Sequence, residues 1–148
     1  MIDRVPPGVR PEDDFIGKYA KANVVHRRLL NGYFLAVKKL LSKIPADTFS
    51  SALEVGCGVG FSTERLRKIL PSTVKLEASE YLDWQVKEAQ ERLGSISVVQ
   101  EDIYHLRRTD QSLDLVFALE VLEHLEDYRA ALTELHRVAK FVMIGVPH

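Results

Sequence analysis

Between Glu54 and Phe61 the chain reads EVGCGVGF, an acid and then Gly56, Gly58 and Gly60 directly after a short apolar run. Glycines at this density let backbone N–H groups approach a small charged molecule with no side chain in the way, and the start of a following helix adds partial positive charge. Further acids, Glu77, Asp102 and Glu120, stand at or just past the ends of other apolar runs, and His124 follows shortly after. Carboxylates accept hydrogen bonds from hydroxyl and amine groups, so a glycine turn ringed by acids is suited to a polar small molecule. The dinucleotide fingerprint GxGxxG needs glycine at position 61, where Phe61 stands, and no Gly-Lys-Ser/Thr follows to make a P-loop. A nicotinamide-dependent oxidoreductase fits poorly for the same reason. ExxEH at Glu120 to His124 lacks the first His of an inverted zinc motif, so no metal is expected.

These residues need elements to hold them. Leu30, Tyr33, Phe34, Val37, Leu41 and Ile44 fall on one helical face before Pro45. Ala52 to Val55 reads as a strand and Ser62 to Leu70 as a helix ended by Pro71. The unit repeats, with a strand over Val74 to Ala78, Ser79 as N-cap, and a helix carrying Leu82, Val86, Ala89 and Leu93 up to Gly94. Strands over Ile96 to Val99 and Leu113 to Leu119 follow, the second apolar enough to be covered on both faces. Glu120 to Leu125 reads as a short turn or helix, Tyr128 to Val138 as an amphipathic helix, and Phe141 to Val146 as a last strand after an unusually short turn at Ala139 and Lys140. Alternation of this kind predicts an α/β fold: a Rossmann-like, doubly wound, mostly parallel sheet of about five strands with helices on both faces. In such sheets ligands bind outside the carboxyl ends of the strands, where Glu54, Glu77, Asp102 and Glu120 are placed.

Bulk composition bounds the class. The chain has 148 residues, enough for one domain, with 20 basic and 21 acidic side chains and a net charge of -1. That balance offers no electrostatic footprint for nucleic acid or an anionic membrane. A single cysteine, Cys57, and no basic-then-apolar leader predict a reducing, cytoplasmic setting, and no apolar run approaches the roughly 20 residues that span a bilayer. Residues 1–17, with Pro6, Pro7, Gly8 and Pro11 among charges, read as a loose arm before a single domain over 18–148.

LEVGCGVGF, LEASE at Leu76 to Glu80, QEDI at Gln100 to Ile103 and SLDLVFALEVLEHLED at Ser112 to Asp127, in this order and spacing, resemble the class I S-adenosylmethionine-dependent methyltransferases of the small Rossmann-like type. The N-terminal stretch from Lys18 to Phe34, with VMIGVPH at the far end, is similar to a bacterial and archaeal subgroup associated with cell-surface glycans. The resemblance implies S-adenosylmethionine as cofactor, S-adenosylhomocysteine as product, and a small-molecule or glycan-linked methyl acceptor. It implies that Gly56, Cys57, Gly58 and Gly60 cradle the cofactor's amino-acid end, with Glu54 complementing its ammonium directly or through water. Glu77 is expected to accept both ribose hydroxyls, with Ala78 and Tyr81 near the base, although a solvated strand-end acid is the plainer account of Glu77. Asp102 and the Ile103 amide are expected to clamp adenine, against a simple loop-capping Asp. Ala118 and Glu120 are expected beside the methionine moiety, and His124 is the candidate general base, a packing role being its alternative.

Other residues carry plainer readings. Cys57 has no base beside it and is not expected to act as a nucleophile. Tyr19, His26, Arg27 and Arg28 could cover the cofactor, an exposed basic helix face being the simpler reading of the arginines; Trp84 is expected to be buried. Family domains carry two further strands beyond the fifth, which implies either a domain cut short there or a homodimer that covers the exposed fifth-strand edge. A cofactor-binding module without catalysis, or an inactive fragment, is the alternative function.

Overall fold

The computed structural model describes residues 24–146, so the expected arm over 1–17, Tyr19 and the His26 side chain lie outside the described residues. Helix α1 (Val24–Leu41) leads through a short 3-10 turn (Ala46–Thr48) to strand β1 (Ser51–Val55). Helix α2 (Phe61–Ile69), strand β2 (Lys75–Glu80), helix α3 (Asp83–Leu93) and strands β3 (Ser97–Gln100) and β4 (Leu113–Leu119) follow. A second 3-10 turn (Leu122–His124), helix α4 (Tyr128–Val138) and strand β5 (Ala139–Gly145) complete the described chain. The five strands form one sheet in the order β3-β2-β1-β4-β5, every pairing parallel. Strand order therefore reverses between β1 and β4, and the crevice for a ligand lies beyond their carboxyl ends.

Alternation along the strands divides the core. Ala52, Phe117 and Met143 face α1 and α2, where Phe34, Val37, Leu41 and Leu66 are buried against them. Leu53, Val55, Val116 and Ala118 face the other way and meet Ala131, Leu135 and Val138 of α4. Ala78 and Val98, on the α1 and α2 side, meet Val86, Ala89 and Leu93 of α3. At the opposite end of the sheet from the crevice, Asp114 accepts from the Ser50 and Ser51 N–H groups at 2.9 and 3.2 Å and from Lys140 Nζ at 2.7 Å. Lys140 and these donors hold the Asp114 carboxyl well below the usual carboxylate range, and together they lock the starts of β1, β4 and β5 in register.

Element boundaries correct several expectations. The sequence pattern ends the second strand at Ala78 with Ser79 as a helix cap, whereas β2 continues to Glu80 and Ser79 is fully buried within it. Leu82 occupies the N-cap of α3 and makes no side-chain cap. The expected turn at Ala139 and Lys140 does not exist, because α4 ends at Val138 and Ala139 already pairs with Leu113. Trp84 is 38% exposed rather than buried, since only one side of α3 meets the sheet. On β5, Phe141 and Ile144 are about two-fifths exposed.

Candidate functional site

A cavity of about 670 Å³ opens beyond the carboxyl ends of the strands. Val55 and the turn Gly56 to Val59 form its floor, with Phe61 and Ser62 from the start of α2. Glu80, Tyr81, Leu82 and Gln85 form one wall and Glu101 to His105 the next. Leu119 to Val121, with His124 to Asp127 and Ala130, close the far side.

The turn is built by its backbone. Gly56, Gly58 and Gly60 have φ of 74°, 55° and 93°, the left-handed region that side chains rarely enter. At Gly56 space is also limiting, because a Cβ would meet Val121 Cγ2 at 2.6 Å. At Gly58 a Cβ would meet nothing within 4 Å, which leaves the peptide open to the cavity. Gly56 and Cys57 donate to the Ser79 carbonyl at 2.8 and 3.0 Å, and Gly58 donates to Glu80 Oε2 at 2.9 Å. Glu80 Oε1 accepts from the Tyr81 and Leu82 N–H groups at 2.7 and 3.2 Å. Burial pushes the Glu80 carboxyl above its ordinary pKa, and these backbone donors pull against that shift.

Residues singled out from the sequence separate into two sets. Gly56, Cys57, Gly58, Asp102, Ile103, Glu120 and His124 all line the cavity. Glu54, Gly60, Glu77, Ala78 and Ala118 do not. Glu77 lies in the middle of β2, and its carboxylate pairs with Arg108 at 3.1 Å and Lys75 at 3.2 Å. The acid at the strand's end is Glu80, twenty residues after Gly60, which the pattern misread as the first turn of a helix. Ala78 and Ala118 are wholly buried, facing α3 and α4 respectively, because alternate strand residues point into those layers. Gly60 is the left-handed N-cap of α2, packed against Leu93.

Glu54 is completely buried beneath the turn, accepts from Thr63 Oγ1 and stands outside the cavity lining. Burial pushes its carboxyl up to about 7, against the opposing hydroxyls of Ser62 and Thr63. Among the described residues its buried Oε1 has no hydrogen-bond partner. Burial likewise raises the Cys57 thiol, with Glu54 and Glu80 adding to the shift, so the thiol stays protonated and inert.

At the far wall, Asp102 Oδ1 accepts from the Tyr104 N–H at 2.9 Å, so this carboxylate both lines the cavity and shapes its own loop. Glu120 adopts φ 57°, and its N–H donates to the Gly145 carbonyl at 2.7 Å, which turns the chain away from β5 at the end of β4. That left-handed conformation is costly for a residue with a Cβ and is retained at the cavity. His124 Nε2 lies 3.8 Å from Glu123 Oε1. The lining is mostly apolar, with carboxylates as its acidic groups: Glu80, Glu101, Asp102, Glu120, Glu126 and Asp127 contribute to it, and no lysine or arginine among the described residues does. Sequence reading also missed Gln85 and Glu101; Gln85 is a polar residue on the otherwise apolar inner face of α3, which was the available signal. Among the described residues no group of three or more His, Cys, Asp or Glu could hold a metal ion, and no helix is long and apolar enough to cross a membrane.

Comparison with known proteins adds a second line. The family described as a methyltransferase domain matches residues 53–141. Trans-aconitate 2-methyltransferase of Variovorax paradoxus is 27% identical over 111 residues, covering 75% of this chain and 42% of the relative. A Mycobacterium tuberculosis protein named a probable S-adenosylmethionine-dependent methyltransferase is 27% identical over 107 residues, covering 70% of this chain and 38% of its own length. The chain thus spans well under half the length of these curated relatives. The solved structure of a SAM-dependent methyltransferase from Aquifex aeolicus superposes with a TM-score of 0.57 at 26% identity, covering 70% of this chain and 57% of that one.

Proposed function

For a chain that belongs to the family of S-adenosylmethionine-dependent methyltransferase domains, we propose that the cavity binds S-adenosylmethionine and that the protein methylates a small-molecule or glycan-linked acceptor lacking anionic groups. The observation that carries this reading is the union of an open glycine cradle at Gly58 with a cavity lined by carboxylates and no described lysine or arginine.

The residues fit the cofactor. Gly56 to Gly58 and the start of α2 would hold its amino-acid end, the cradle at Gly58 being space that a Cβ would occupy. Glu80 would accept from the ribose hydroxyls in place of Glu77, and Asp102 with Ile103 would face the adenine. Glu54 supports the turn from below through Thr63. When bound, S-adenosylmethionine supplies an electrophilic methyl group on a cationic sulfonium. The carboxylates favour cationic and neutral occupants and disfavour anions, since like charges in a partly enclosed site repel strongly. An acceptor such as the tricarboxylate named for the Variovorax relative is therefore a poor match for this wall, whereas an amine or a neutral hydroxyl suits it.

Glu120 and the 3-10 turn carrying His124 would orient the acceptor for in-line transfer, and His124 would take its proton. Positioning of this kind can contribute roughly 7 to 11 kcal/mol, so little acid–base chemistry is needed. Isothermal calorimetry with S-adenosylhomocysteine, followed by an acceptor screen with radiolabelled cofactor, tests the reading. Micromolar or tighter binding and transfer to an uncharged or basic acceptor are expected. No binding overturns the proposal, and binding without transfer to any acceptor reduces it to a cofactor-binding module.

A further inference from the structure

Among the described residues four α-helices flank the sheet, and their outer faces differ. Helix α2 exposes no large apolar side chain, α3 exposes Trp84 and α4 exposes Tyr128, whereas α1 exposes Val24, Val25, Leu29, Leu35 and Leu40, each between 46% and 78% accessible. Single exposed apolar residues are ordinary on a protein surface; five on one helix are not. The inward face of α1 is already taken up by Leu30, Phe34, Val37 and Leu41, which are buried. At about 100° per residue, Val25, Leu29, Gly32, Ala36 and Leu40 line up as a second stripe, exposed along its whole length.

Charge on this segment is equally uneven. Residues 15 to 46 hold seven of the chain's 20 Lys and Arg and none of its 21 Asp and Glu, so the net charge of -1 conceals a cationic segment and an acidic remainder. On α1 itself Arg27, Arg28, Lys38 and Lys39 are exposed, and no residue of the helix is acidic. Arg28 and Lys39 fall between the stripe and the pair Val24 and Leu35, which interleaves cations with exposed apolar side chains.

That mixture selects among occupants. A second copy would set two cationic helices against each other, and like charges oppose the contact. Nucleic acid would meet the cations and leave the leucines in water. A protein groove takes one narrow stripe, whereas Val24 and Leu35 stand across the cations from Val25 and Leu29. An anionic lipid surface suits both kinds of residue, because apolar side chains enter the acyl boundary while Lys and Arg extend to the headgroups. No helix among the described residues is long and apolar enough to cross a membrane, so α1 would lie along the surface. Tyr33 meets Gly145 at the carboxyl end of β5, and α1 runs from there towards the start of β1, so its first turns stand at the end of the molecule where the cavity opens.

We propose that the outer face of α1 is a membrane-docking surface, its apolar stripe entering an anionic lipid interface and its lysines and arginines pairing with the headgroups. Such docking does not depend on which ligand fills the cavity.

Flotation of the purified chain with phosphatidylcholine vesicles containing about one third phosphatidylserine tests this, with pure phosphatidylcholine vesicles as the second arm. Wild type is expected to float with the anionic vesicles, at least ~10-fold less with neutral ones, and to be released by roughly 0.5 M salt. Lys38→Glu with Lys39→Glu, and separately Leu29→Gln with Leu35→Gln, are each expected to lower partition by about tenfold or more. All four side chains are exposed, so both paired variants keep the melting temperature of wild type to within a few degrees. Absence of wild-type partition onto anionic vesicles overturns the proposal, as does partition that neither pair alters. A response to the lysine pair alone also overturns it, since the leucines then stay in water. Light scattering that shows a dimer dissociated by the leucine pair, with vesicles ignored, gives this face to a second copy instead.

Discussion

The Gly58 N–H donates to Glu80 Oε2 at 2.9 Å, tying the glycine turn after β1 to the last residue of β2. The same carboxylate receives the Tyr81 and Leu82 N–H groups, so one buried acid organises two loops of the cavity. Glu80→Ala is expected to weaken S-adenosylhomocysteine binding by at least ~100-fold and to lower stability by about 1–3 kcal/mol, since buried backbone donors lose their partner. Glu77→Ala, which removes only an ion pair with Arg108 and Lys75, is expected to leave binding within about twofold. Calorimetry on the two variants decides between the acids, and equal losses would defeat the assignment to Glu80.

Glu54 makes stability fall as pH rises. Its folded-state pKa of about 7 exceeds the ordinary 4.5, so the folded chain binds the proton more tightly than the unfolded one. The unfolding free energy therefore decreases between pH 4.5 and 7 on this group's account and levels off above. The drop is on the order of 3 kcal/mol. Glu80, also shifted upward by burial, adds a slope of the same sign. Urea denaturation across this window is expected to show a shallower fall for Glu54→Gln than for wild type, and parallel curves would remove Glu54 as the cause.

Gly56 has two reasons to be glycine. Its φ of 74° disfavours a side chain, and a Cβ would press on Val121 Cγ2 at 2.6 Å. Gly56→Ala is expected to cost about 1–3 kcal/mol and to reduce cofactor binding by displacing the turn. Adding Val121→Ala restores part of the stability by relieving the clash, while the strained backbone keeps binding weak; full recovery of both would show that sterics alone matter.

Gly145 admits Tyr33 from α1 against the end of β5. A Cβ there would lie 1.7 Å from the tyrosine hydroxyl oxygen and 2.7 Å from Cζ. Gly145→Ala is expected to lower stability by about 1–3 kcal/mol through overpacking. Combining it with Tyr33→Leu should cost less than the two single changes add up to, read by denaturant unfolding in a double-mutant cycle.

His124 lines the cavity from a 3-10 turn rather than the core. His124→Gln is expected to lower kcat by ~10²–10⁴ for a hydroxyl acceptor while leaving S-adenosylhomocysteine affinity unchanged. A loss of affinity without a change in kcat would reassign it to binding.

The five strands, their alternation with helices and the placement of a ligand crevice beyond β1 and β4 were legible in the sequence, because buried parallel strands and amphipathic helices leave distinct hydrophobic periods. So were the turn at Gly56 to Gly60 and the contributions of Asp102, Ile103, Glu120 and His124 to the cavity wall, since each lies just past a strand whose end is clear. LEASE was not so clear. Two acids and a serine lie within that segment, and the apolar pattern alone allows the strand to stop at Ala78 or to run on to Glu80.

The sequence by itself therefore determined the fold class, the cofactor family and the region of the site, all of which follow from local patterning and from short strings in a fixed order. Tertiary structure decided which carboxylate serves the cavity. Val55 pairs with Ser79 in the sheet, which carries Glu80 to the level of the glycine turn, where the Gly58 N–H captures it, and leaves Glu77 alongside Leu53 and within reach of Arg108. Register, crossover packing and the reach of a distant arginine depend on long-range contacts, and one residue of register turns a side chain to the other face.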